Sequence, residues 1–110
     1  MKTHAQLIEL LRHAWENLDI ESVVPYLSDD LHYSSWWVME ELHSKEEYLN
    51  YIRSKFLTFK EVSVKPLVKL AVNQTTGEHA VAIRQGEASP VLIRIKVDNG
   101  MIIEMWMQPG

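Results

Sequence analysis

The residue best suited to acid–base chemistry is Glu104, in a carboxyl-terminal segment that reads as a hairpin. Asn99-Gly100 is a strong turn signal, because both residues tolerate the positive φ of a tight two-residue loop. Such a loop pairs Asp98 with Met101 and carries that register outward along both strands. Ile95 then faces Glu104, Val97 faces Ile102 and Ile93 faces Trp106 on one surface. Leu92, Arg94, Lys96 and Asp98 share the other surface with Met101, Ile103, Met105 and Met107. The first surface is the more apolar and is expected to face the interior, which sets a carboxylate among Val, Ile and Trp. Desolvation there raises a carboxyl pKa above the ~4.3 of free glutamate, toward values useful in proton transfer. The alternative is a carboxylate satisfied by a tyrosine, an arginine or water, or one that reaches solvent.

Other chemistries find less support. Glu40, Glu41 and His43 lie beside Glu46 and Glu47, but no His-x-x-x-His or similar ligand spacing occurs. Glu46 and Glu47 are accounted for by a helix start, so a solvated acidic face is expected and no metal. His4, His13 and His79 have no inferable partner. The absence of cysteine excludes disulfides, thiolate nucleophiles and cysteine-held zinc or iron–sulfur clusters. No Gly-x-Gly-x-x-Gly, P-loop, Gly-x-Ser-x-Gly or Ser-x-x-Lys is present, and no cofactor is expected.

The 110 residues are 46% hydrophobic and 24% charged, the balance of one globular domain spanning residues 1–110. Residues 1–58 hold ten acids against five bases, and residues 59–110 hold five acids against six bases. No Lys/Arg cluster offers the basic footprint that nucleic acid requires. The longest stretch without formal charge, Leu31 to Met39, is far short of the ~20 residues that span a bilayer. No apolar leader precedes Glu9, so a cytoplasmic protein is expected, with neither membrane nor nucleic acid as partner.

The elements that must position these residues follow from periodicity. Thr3 with Gln6 forms a capping box ahead of Leu7, Leu11, Trp15 and Leu18 at helical spacing, with Ile8 and Ala14 widening the stripe. Asp19 caps a short second helix with Ile20, Val23, Val24 and Leu27 on its apolar face, shortened or distorted by Pro25 and ended by Ser28-Asp29-Asp30. Leu31 to Val38 reads as a strand and Met39 to His43 as a short strand or loop. Ser44 opens a third helix carrying Tyr48, Leu49, Ile52, Phe56 and Phe59. After Lys60 the period becomes two. A long strand through Val62, Val64, Pro66, Val68, Leu70 and Val72 is expected at an edge or bulge, followed by strands at 78–85, 91–98 and 101–107. Helices first and a meander after is an α+β layout with the helices on one face of a curved, mostly antiparallel sheet.

This order, with the segment Asp19-Ile-Glu-Ser-Val-Val-Pro-Tyr-Leu-Ser-Asp-Asp30 and the closing Asn99-Gly-Met-Ile-Ile-Glu-Met-Trp106, resembles the nuclear transport factor 2-like (NTF2-like) superfamily. That superfamily includes the SnoaL-like polyketide cyclases and the ketosteroid isomerases. The resemblance implies a cystatin-like cone of three helices on a strongly curved sheet, a cavity at the wide end and dimerisation through the sheet. It also implies that Leu31, Tyr33, Ser35 and Trp37 point inward. Tyr33, Ser35, Trp37 and Trp106 are then candidate ligand contacts, with Trp15 closing the cavity. The three ketosteroid isomerase functions fall on Leu11, Ser35 and Ile93, none of which can perform them. A ketosteroid-type reaction is therefore not expected.

Two readings remain. The first is a cone that binds a small, mostly apolar molecule, with acid–base chemistry at Glu104. The second is a non-catalytic dimeric scaffold domain with a filled cone. Either way, a homodimer is expected through a band of Leu92, Arg94, Met101, Ile103, Met105 and Met107, which a monomer would leave in water.

Overall fold

A computed structural model describes residues 1–35, 41–63 and 65–109. Thr3 caps helix α1 (His4–Asn17), its side chain accepting from Gln6 N while Gln6 Oε1 accepts from Thr3 N. The helix buries Leu7, Ile8, Leu11, Ala14 and Trp15, and ends on Leu18 in the left-handed region at φ 52°. Helix α2 (Lys45–Glu61) starts at Ser44, whose Oγ accepts from Glu47 N at 3.1 Å, and buries Tyr48, Leu49, Ile52 and Phe56. Both helices lie on one face of a curved sheet of five strands: β1 (Leu27–Ser35), β2 (Leu67–Val72), β3 (His79–Arg84), β4 (Val91–Asp98) and β5 (Met101–Pro109). The order is β1-β5-β4-β3-β2, with β1 parallel to β5 and the other pairs antiparallel.

The described residues contain two α-helices, where three were expected. The segment after Asp19 closes into a single 3-10 turn at Val24–Tyr26. Pro25 has no N–H to donate, and Asp19 Oδ1 caps only Glu21 N, at 3.0 Å. Ile20, Val23 and Leu27 are nevertheless buried, so their spacing registered core contacts rather than a helix. The chain turns extended at Leu27, and Ser28-Asp29-Asp30 belongs to β1. At the other end of α2, the helix runs on to Glu61 and β2 begins only after Pro66. β2 is an edge strand, and Leu67, Leu70 and Val72 are exposed on it.

The closing turn forms as expected, with Asn99 and Gly100 at φ 51° and 73°. The register beyond it differs. Asp98 pairs with Met101 and Val97 with Ile102, but Lys96 then pairs with Glu104, Ile95 with Met105, Arg94 with Trp106 and Ile93 with Met107. Ile103 is the extra residue of a β-bulge, and one inserted residue sends every later side chain to the opposite face. Met105 and Met107 are therefore in the core, at 1% and 3% exposure, while Glu104 and Trp106 lie half-buried on the outer face. The bulge buries two apolar thioethers and spares a carboxylate from desolvation.

Candidate functional site

On β1, Leu31 and Tyr33 point into the cone and Tyr33 and Ser35 pair across to Met105 and Met107 on the same face. Trp37 lies outside the described residues. Tyr33 meets the α2 face carrying Tyr48 and Tyr51, with ring centroids 5.1 and 5.5 Å away. Its phenol lies beside Tyr51 of α2 and Ser35 of β1, so these three side chains bring the two elements together. Burial holds the phenol pKa of Tyr33 and Tyr48 well above the usual tyrosine range, so both are neutral donors over the whole physiological range. Trp15 sits between the helices, edge-on to Phe56 at 4.9 Å and to Phe59 at 6.4 Å. Among the described residues, its buried Nε1–H finds no acceptor.

One turn beyond Tyr51, α2 presents Lys55. Its ammonium stands 6.0 Å from the Tyr51 ring centroid and 5.7 Å from that of Phe59, within cation–π range. Burial lowers its pKa from the ordinary lysine value. No carboxylate among the described residues pairs with it. Lys55 forms one wall of a cleft of about 170 Å³ where α2 passes the β3–β4 loop, with Ile83, Gln85, Ala88, Ser89 and Val91 completing the lining. A larger, more open depression at the start of α2 is lined by Asp29, Lys45, Glu46 and Arg53, charges already in contact with water.

Several residues expected in or around the cone lie elsewhere in the structure. Glu104 is not in the cone: it lies on the outer face opposite Lys96 on β4 and His32 on β1. Trp106 shares that face, under the Arg94 guanidinium at 5.3 Å. Trp15, expected to close a cavity, is packed core. Met105 and Met107 are buried and unavailable to a second subunit, whereas Leu92, Arg94, Met101 and Ile103 keep partial exposure. Leu11 and Ile93 are buried apolar residues, and Ser35 is engaged with Tyr33. Tyr51 and Lys55 were missed. Their signal was the spacing Tyr48, Tyr51, Ile52, Lys55, Phe59, which puts a lysine on the buried stripe of an amphipathic helix.

No protein-family model matches the sequence, and no curated protein matches it. Solved structures do. An NTF2-like protein of unknown function from Cytophaga hutchinsonii ATCC 33406 superposes with a TM-score of 0.70 at 15% identity, over 100% of this chain and 92% of that one. A SnoaL-like protein of unknown function from Burkholderia thailandensis E264 gives 0.73 at 13% identity, over 97% and 93%. An LEH-like epoxide hydrolase from M. tuberculosis gives 0.64 at 20% identity, over 94% and 80%. The chain has the NTF2-like, cystatin-like α+β fold.

Proposed function

We propose that this chain binds a small, mostly apolar molecule bearing one carbonyl or carboxylate oxygen, held in the cleft beside Lys55. The observation that carries this reading is Lys55 itself: an ammonium drawn partly out of water above two aromatic rings, at an apolar cleft, with no carboxylate among the described residues to neutralise it. A half-desolvated cation without a partner is costly, and a ligand oxygen would offset that cost. Gln85 and Ser89 add polar groups to an otherwise apolar lining, the composition of small-molecule sites. That an epoxide hydrolase shares the fold supports a site for small molecules on this architecture. Glu104 has no part in this site, and no reaction is assigned to it. No described helix is long and apolar enough to cross a membrane; we propose a cytoplasmic location.

The test is two-dimensional NMR with 2-naphthoate and its neutral amide as probes. Naphthoate is expected to shift the amides of Lys55, Gln85 and Ala88 in the parent and to lose that effect in Lys55→Met. Absence of any shift at millimolar probe, or equal shifts in the variant, overturns the reading.

A second reading concerns association. Leu92 and Trp106 lie half-exposed on the sheet face that neither helix covers, with Ala82 beside Leu92 on the neighbouring strand. We propose that two copies meet through this face, Arg94 and Lys96 forming its polar rim. Light scattering is expected to give twice 12.8 kDa, and Leu92→Asp to halve it. A 12.8 kDa species in the parent at micromolar concentration refutes the dimer.

A further inference from the structure

Tyr33 and Leu42 exchange both backbone hydrogen bonds at 2.8 Å, an isolated antiparallel bridge that lays residues 41–43 against β1. Alternation along extended chain then fixes the faces. Tyr33 points into the cone, so His32 points out; Glu41 and His43, flanking Leu42, project to the same outer side. The three side chains converge. His32 Nε2 lies 3.0 Å from Glu41 Oε2, and the His32 and His43 rings stack with centroids 5.1 Å apart. One ligand atom from each of the three falls within 4.8 Å of the others.

We propose that His32, Glu41 and His43 form a binding site for a divalent late-transition-metal ion, with zinc as the reference. Two imidazoles and one carboxylate suit zinc, nickel or copper and disfavour calcium and magnesium, which take all-oxygen shells. Around a tetrahedral zinc, ligand atoms stand about 3.4 Å apart, so the trio needs only small rotations of partly exposed side chains to close. Their backbones are already fixed by the Tyr33–Leu42 bridge. Glu104 follows His32 across β5 on the same face and adds negative potential beside the ion. Three protein ligands leave a coordination position open to water or to an exogenous ligand. The sequence concealed this set because His32 and His43 are eleven positions apart, a separation that becomes a cross-strand pair only through the bridge.

The experiment uses the untagged full chain, Zn²⁺ calorimetry and Co²⁺ absorption, with thermal unfolding in parallel. One Zn²⁺ per chain is expected, with a rise in melting temperature because the ion binds only the folded form. His32→Gln and His43→Gln, both substitutions on the protein surface, should each weaken binding about tenfold or more and abolish the thermal shift. His13→Gln and His79→Gln should change neither. Stoichiometry well below one, undiminished binding in the first two variants, or equal loss in the second two overturns the site. Since neither Lys55 nor its cleft is involved, failure here leaves the ligand reading intact.

Discussion

The face reversal at Ile103 is open to a direct energetic test. Met105 is 1% exposed, opposite Ile95 at 2% and beside Tyr33 at 2%. Met105→Ala removes three heavy atoms from a site whose neighbours are fixed on two strands, so the void cannot collapse fully. Such truncations cost about 2–5 kcal/mol, a large share of the roughly 5–15 kcal/mol that holds a domain together. With a middle value of ~3 kcal/mol, the melting temperature should fall by roughly 10 °C or more. Glu104→Ala, half-exposed and opposite Lys96, should change stability by no more than about 0.5 kcal/mol. Urea unfolding with linear extrapolation measures both. If Glu104→Ala costs as much as Met105→Ala, the bulge register is wrong.

Deletion of Ile103 provides a second arm. Without that residue, Ile102 is followed directly by Glu104, and the ladder becomes regular while Met105 and Met107 keep facing the core. The deletion variant should therefore fold, losing only what the half-buried Ile103 side chain contributes. Had the hairpin been regular from the start, the same deletion would drive Glu104 and Trp106 across to the other face and unfold the chain. A molten or aggregated deletion variant refutes the argument.

Three further outcomes follow from the packing. Lys55→Met should be more stable than the parent near neutral pH. Because burial lowers the folded-state pKa, the unfolded chain binds more protons up to about 10.5, so the difference should shrink as pH rises toward that value. Stability should fall above about pH 10, where the unfolded chain ionises Tyr33 and Tyr48 and the folded chain does not; Tyr48→Phe should flatten that fall in alkaline urea titrations. Ser44→Ala removes the acceptor for Glu47 N and should cost about 1 kcal/mol in the same assay.

What could be read in the sequence was local or strictly periodic. The Thr3–Gln6 box, the cap at Ser44 and the Asn99-Gly100 turn each rest on residues within one helical turn or one loop, the stripe of α1 rests on strict helical spacing, and each formed as read. The fold class followed, because helices preceding a meander leave few ways to bury both apolar faces. Errors arose where a distant partner decided the outcome. Ile20, Val23 and Leu27 are spaced for a helix, yet contacts with the cone satisfy them without one.

Glu104 shows the same effect at a single residue. Its face depends on whether Ile103 is counted in the ladder, and Asn99-Gly100 fixes only the first two pairs. Beyond those pairs, the competition lies between a regular ladder that buries a carboxylate and a bulged one that buries Met105 and Met107. The apolar count of the two hairpin faces favoured the first, because it weighed Ile93, Ile95 and Val97 without charging Glu104 for desolvation. Ile93 and Ile95 are core residues in either register, so they cannot discriminate; the choice lies with Glu104 and Trp106 against Met105 and Met107. Burying an unpaired carboxylate costs several kcal/mol, more than the loss of one regular pair in a strand ladder. A polar residue flanked by apolar ones near a hairpin turn is thus itself a signal for a bulge, and the candidate site must be sought on the helix face that meets the corrected sheet, where Tyr51 and Lys55 stand.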